Sequence, residues 1–114
     1  MDFSKFDKDS SVSTGDSSLE VGIGTELNGC ILHNVVAIVE DQGITGTTNV
    51  QVERRRSAAI IGMLSTVVTI GAEYFAQDGV VDATFDDVAT GDKIKIDVQT
   101  IHSGTAPNGL LVVL

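Results

Sequence analysis

The sequence predicts an all-β protein: a jelly roll or β-sandwich of about seven to eight strands, preceded by an extended N-terminal arm. Three observations lead there. Short β-branched runs recur along the 114 residues, glycine-bearing turns separate them, and no long amphipathic helical period interrupts them. The length suits one domain, which is placed at residues 19–114 with the arm at residues 1–18.

The arm is read from composition. Asp, Ser and Lys dominate it, and the stretch from Ser10 to Ser18 has no apolar period of either kind. Such a segment buries too little apolar surface to offset its ordering entropy, so it is expected to be flexible on its own. Phe3 and Phe6 stand out within it. Either they sit in a solvated tail, or the arm docks them onto another surface.

The strands follow in order. Residues 31–39 (ILHNVVAIV) are apolar at both parities, as in a strand covered on two faces. Residues 40–48 have the polar and glycine content of a turn. Asn49 to Arg56 begins with strict alternation, which puts Val50 and Val52 inward, Arg55 outward and Arg54 at the sandwich rim. Ser57 to Met63 is compatible with a short helical turn or a loop over the core, and Thr66 to Ile70 reads as a strand. Gly79-Val80-Val81 and Thr84-Phe85 lie among aspartates, and Ala89-Thr90-Gly91-Asp92 makes a turn. In the strand Lys93 to Gln99, Ile94, Ile96 and Val98 face in while Lys93, Lys95, Asp97 and Gln99 face out. The sole proline, Pro107, falls in the last turn, where its missing N–H harms no ladder. Leu110 to Leu114 is continuously apolar, so it is expected to be an internal strand paired on both sides.

Charge narrows the partners. Seven Lys and Arg against sixteen Asp and Glu give a net charge of −9. A surface that acidic repels phosphate backbones and anionic headgroups, so neither nucleic acid nor membrane is expected as a partner. No apolar run approaches the roughly 18–20 residues of a membrane span. The start lacks the basic and apolar stretches of a signal peptide. A single cysteine, Cys30, agrees with assembly in a reducing cytosol and is expected to be a small buried hydrophobe.

Residue types that could carry chemistry do not converge into a motif. His33 and His102 fall in predicted strands, and Cys30, three residues before His33, would leave a zinc site without a fourth ligand. No Gly-x-Ser-x-Gly frames a nucleophile, and Gly22-Ile23-Gly24 lacks the rest of a dinucleotide site. No enzyme activity, cofactor or metal is therefore expected. Asp78, Asp82, Asp86, Asp87 and Asp92 are read as solvated turn residues, with a structural Ca²⁺ as the alternative. Arg54, Arg55 and Arg56 either pair with acids on neighbouring strands or contact an acidic partner or an adjacent copy. Val36, Ile38, Ile60, Ile61 and Val112 exceed what so small a domain can bury alone, which favours a homo-oligomer.

Four stretches resemble a small β-domain of tailed-bacteriophage virions. They are Asn49 to Arg56, Met63 to Ile70, Asp86 to Val98 and Thr105 to Val113, and the most specific is Asp86-Asp87-Val88-Ala89-Thr90-Gly91-Asp92. Domains of this kind occur as trimeric jelly rolls in head decoration (cement) proteins, head fibres and tail-fibre tips. The resemblance implies a virion structural part. A chain with its own Met1, a polar arm and one domain suits a cement protein better than a fibre tip, which usually follows a long shaft. The expected partners are two sister copies in a homotrimer and the major capsid protein, on the outer surface of the phage head. Phe3 and Phe6 would anchor the arm, while Arg54, Arg55, Arg56, Val36, Ile38, Ile60 and Ile61 would make subunit or capsid contacts. The alternative is a receptor- or carbohydrate-binding tip module, against which one Tyr and no Trp count.

Overall fold

The computed structural model describes residues 12, 14, 15 and 21–114, together with the backbone at 2–4 and 16. Its strands in chain order are β1 (Asp2–Ser4), β2 (Gly15–Asp16), β3 (Val21–Gly22), β4 (Val36–Ile38), β5 (Thr48–Arg56) and β6 (Ala59–Gly62). There follow β7 (Leu64–Thr66), β8 (Val68–Ile70), β9 (Phe75–Ala76), β10 (Val80–Val81), β11 (Lys93–Thr100) and β12 (Leu111–Val113). A 3-10 turn at Thr25–Leu27 is the helical element among the described residues. The all-β expectation holds, and every strand pair is antiparallel.

β5 and β11 are the spine of a six-stranded sheet. Short strands flank them: β2 and β3 both pair with β11, while β6 and β8 both pair with β5. Across the spine Val50 lies opposite Val98 and Val52 opposite Ile96. All four are buried, so the alternation read from sequence sets the core face of this sheet. A second sheet has the order β1-β12-β4-β9, and β10 pairs with β7 alone. Side chains from the two larger sheets meet in one apolar cluster with Met63, Leu64, Val68 and Ile70, a sandwich-like arrangement.

The chain-end strand behaves as its composition requires. β12 lies between β1 and β4, paired on both sides. Its central residue Val112 is buried in one row with Ala37 of β4 and Ala76 of β9. Backbone hydrogen bonds on both edges remove the open template that an apolar strand would offer to another chain.

Several expectations need correction. The run at 31–39 is a strand only over Val36–Ile38, with an isolated bridge from Ile31 to Asp87. Ser57 to Met63 forms neither a helical turn nor a loop over the core. Ser57 and Ala58 close a tight hairpin, and β6 runs back along β5 with Ala59 opposite Arg56. Ser57 takes a φ of 56°, the left-handed value wanted at the first central residue of a II′ turn. The stretch 66–70 is cut at Val67, because β7 pairs with β10 while β8 pairs with β5. Lys95 is buried although its parity points outward; it stands opposite Glu53 on the spine, a register suited to opposite charges. Cys30 is exposed, since the segment after the 3-10 turn is held through its backbone, where the Cys30 carbonyl accepts the Val88 N–H at 2.9 Å.

Parts of the expected arm lie against the domain. β1 pairs with β12, and β2 pairs with β11. Val12 is buried and donates its N–H to the Pro107 carbonyl at 2.8 Å. Val12 is the apolar residue within the Ser-rich stretch, so it is the one that gains by leaving water.

Candidate interaction surface

The sequence-predicted contact residues divide into three places. Val36 and Ile38 lie on β4 in the four-stranded sheet, the arginines lie at the end of β5, and Ile60 and Ile61 lie on β6 beside them. Phe6 lies outside the described residues, and of Phe3 only the backbone is described, at the register position opposite Val112.

The arginines are drawn largely inward. Arg54 continues the buried parity of Val50 and Val52, and it is 4% exposed. Its Nη1 donates to the Asp87 carbonyl oxygen at 2.6 Å and to Asp87 Oδ1 at 2.9 Å, while its Nε is buried without a partner. Arg56 donates from Nε to Asp92 Oδ1 at 2.9 Å and from Nη2 to Asp92 Oδ2 at 2.7 Å. A further bond from Arg56 Nη2 reaches Asp87 Oδ2 at 3.1 Å. Asp87 therefore bridges two guanidinium groups, and Asp92, itself buried, receives one of them side-on.

A turn sets Asp92 in place. Gly91 takes a φ of +94°, and the Asp92 N–H donates back to the Ala89 carbonyl at 3.0 Å. In return, Asp92 Oδ2 accepts the Ala89 N–H at 2.8 Å. The hydrogen bonds from Arg56 hold the Asp92 carboxyl below the ordinary carboxylate range, against the opposing effect of its burial. Arg56 acts first on Asp87 too, and Arg54 adds to it. The carboxylates in turn raise the Arg56 guanidinium above its ordinary value, Asp92 foremost.

The pairing reading of the arginine triplet thus holds for Arg54 and Arg56, and Arg54 is an inner anchor instead of a rim residue. Arg55 points outward as expected and lies opposite Lys93 and Ile60. The most specific stretch of sequence, Asp86 to Asp92, serves as the acidic half of this clamp. Asp78 and Asp82 are turn acceptors: Asp78 Oδ1 receives the Thr69 N–H and Asp82 Oδ1 the Thr84 N–H, each at 2.9 Å.

The histidines do not fall in strands. His33 is exposed beside β4, and His102 is buried just after β11. His102 Nε2 donates to the Gly71 carbonyl at 3.1 Å, and its Nδ1 is hydrogen-bonded to the Thr48 hydroxyl at 2.9 Å, whose oxygen also accepts the His102 backbone N–H at 3.3 Å. Gly43 lies against the ring so closely that a Cβ there would overlap it. This is a tie between loops, and Cys30 has no share in it.

The surface with most apolar character is on the four-stranded sheet. Pairing aligns Val113 with Val36, and Leu111 with Ile38 and Phe75. These five residues occupy the face opposite buried Val112, Ala37 and Ala76, yet the first four are only half-buried and Phe75 is 50% exposed. An antiparallel sheet with one solvated face normally alternates apolar with polar residues; here both faces are apolar over β12, β4 and β9, while β1 places Asp2 and Ser4 at the register positions opposite Val113 and Leu111. At the Val36–Val113 end this face opens into a groove of about 530 Å³. Ile31, Leu32 and Leu114 line its mouth region with Cys30 and His33, and core residues Met63 and Ile94 also contribute to its wall. Among the described residues no Asp, Glu, Lys or Arg side chain lines it.

The sequence singles out Val36 and Ile38 as contact candidates but not Leu27, Ile31, Leu114 and Phe75, which lie on the same side of the fold. The signal present was the two-parity apolar run at 31–39 and the adjacent aromatics Tyr74 and Phe75. No family model, curated protein or solved structure matches the chain.

Proposed function

We propose that this protein is a trimeric jelly-roll decoration (cement) protein of a tailed-bacteriophage head. It would be made in the host cytoplasm and would bind the major capsid protein on the outer surface of the shell, holding it against the pressure of packaged DNA. The observation that carries the reading is the row of half-buried and exposed apolar residues across β12, β4 and β9 on a chain of net charge −9. Such a chain is repelled by nucleic acid and by like-charged surfaces, and it adheres where its uncharged faces meet a matching one.

The mechanism is adhesion by many copies. A contact that is weak alone becomes durable when a trimer engages three equivalent sites at once, because the second and third contacts form at high effective concentration. In this reading the N-terminal arm lies across shell subunits, with Phe3 and Phe6 as its anchors. Engagement of Phe3 would require β1 to leave β12, where three residue pairs hold it. Removing all of residues 1–18 would also remove buried Val12 and strand β2, so substitution is the cleaner test of the arm.

The test is co-sedimentation of the purified protein with expanded, undecorated phage heads. Saturable uptake in multiples of three copies per three-fold position is expected. Failure to bind expanded heads at micromolar protein, with a folded β spectrum, would overturn the proposal.

A further inference from the structure

We infer that Asn108 is a site of spontaneous covalent modification, deamidation through a cyclic imide, and that the fold protects the same Asn-Gly dipeptide at Asn28. The inference is independent of the capsid reading and concerns the single chain.

The chain contains Asn-Gly twice, at Asn28-Gly29 and at Asn108-Gly109. In such a pair the glycine amide nitrogen loses its proton and attacks Cγ of the asparagine side chain. A bond from that nitrogen to Cγ forms, the bond from Cγ to Nδ2 breaks, and Nδ2 leaves as ammonia. Water then opens the imide at either carbonyl, to aspartate or to isoaspartate. Water is the sole co-reactant, and nothing is oxidised or reduced. Glycine favours the step because no Cβ crowds the attacking nitrogen.

At Asn28 both reacting groups are held. The Gly29 N–H donates to the Val88 carbonyl at 2.8 Å, an acceptor that stabilises the amide with its proton on. Asn28 Oδ1 accepts the Thr90 N–H at 3.0 Å, which ties the side chain away from the attacking nitrogen's reach. Both bonds have to open before the imide can form.

At Asn108 the hydrogen bonds work the other way. The Gly109 N–H donates to no acceptor among the described residues. The carbonyl of that same peptide unit, on Asn108, accepts two N–H groups, from Glu40 at 2.9 Å and from Asp41 at 3.3 Å. When the Gly109 nitrogen gives up its proton, the negative charge spreads onto this oxygen, where both donors stabilise it. The Asn108 side chain is tied by one exposed bond, from Nδ2 to Asp41 Oδ2, and at 3.4 Å it is long.

Exposure alone ranks the two sites in the opposite order, because Asn28 is exposed and Asn108 is half-buried. The order of reaction therefore tells hydrogen bonding from simple access. An aspartate at position 108 would also set a second carboxylate beside Asp41, across the bridge between these two residues, on a chain already at −9.

The experiment incubates the purified protein in mildly alkaline buffer, native and in guanidinium chloride. Both sites are followed by peptide mass spectrometry after digestion at acid pH. In the denaturant the two sites are expected to gain aspartate and isoaspartate at similar rates. In the native protein Asn108 is expected to react faster than Asn28 by about tenfold or more, since Asn28 reacts only from an opened state. A smaller native ratio, or Asn28 as the faster site, overturns the inference. So does a native protein in which neither site reacts while both react in the denaturant. Isoelectric focusing of variants with an unchanged far-ultraviolet spectrum gives a second reading. The acidic band that wild type gains with time should appear equally in Asn28→Gln and be absent from Asn108→Gln, because the longer glutamine side chain closes a ring far less readily. An acidic band that persists at the wild-type rate in Asn108→Gln overturns the assignment.

Discussion

Arg56 holds Asp92 through two parallel hydrogen bonds, Nε to Oδ1 at 2.9 Å and Nη2 to Oδ2 at 2.7 Å, between the last residue of β5 and the residue just before β11. The bonds close the spine of the six-stranded sheet at one end. The two strands already pair side by side, so the clamp fixes the turn before β11 and not the ladder itself.

A pH dependence follows with a definite sign. An unfolded Asp takes up its proton near pH 4, whereas Asp92 and Asp87 in the fold resist protonation to lower pH. Their contribution is fully present above about pH 4 and is lost as pH falls through the depressed folded values. Thermal melts followed by circular dichroism should therefore show a midpoint that declines below about pH 4.5. In Asp92→Asn the decline should be shallower, and the midpoint at pH 7 lower. Parallel curves for the two proteins would contradict this.

The loop tie at His102 should be sensitive to a single methyl group. Gly43→Ala places a Cβ in the ring's space and is expected to cost about 2 kcal/mol. His102→Ala removes the ring from the Gly71 carbonyl and from the Thr48 hydroxyl, which keeps the backbone N–H of position 102, for a loss of about 2 kcal/mol. The double variant should lose less than the two losses added, because the ring that the alanine strikes is gone. Urea unfolding of the four proteins measures the coupling.

Core and surface isoleucines should separate cleanly. Ile96 is fully buried opposite Val52, and Ile96→Ala is expected to cost about 3 kcal/mol. Ile60 is 49% exposed, so Ile60→Ala should change stability by less than about 0.5 kcal/mol. Equal losses would mean that the register of β6 against β5 is not the one described.

The arm should act in binding more than in folding at Phe6. Phe6→Ala is expected to weaken uptake on expanded heads about tenfold, about 1.4 kcal/mol, with the thermal midpoint unchanged. Uptake equal to wild type would remove Phe6 from the contact.

Much of this architecture was legible from period alone. Val50, Val52, Ile96 and Val98 alternate with polar residues, and a period of two has one meaning in a strand half covered by a core. The ending was legible for a different reason: Leu110 to Leu114 could persist only with both edges paired, and β12 is so paired. What escaped was set by long-range contact. Nothing local marks Asp87 and Asp92 as the partners of Arg54 and Arg56, more than thirty residues away. Cys30 looked like a core residue from its type, yet the backbone bond to Val88 fixes the segment with that side chain outward. The hairpin at Ser57 was hidden because its turn uses serine at a left-handed position, without the Asn-Gly or Gly signal that usually announces it.

The proposed role is tested most directly by electron cryomicroscopy of phage particles assembled with and without the protein. The account predicts three-lobed densities on the outer face of the head shell, at three-fold or quasi-three-fold positions, present only in the first preparation. Density confined to the tail or to fibres, with identical heads in both preparations, would contradict it.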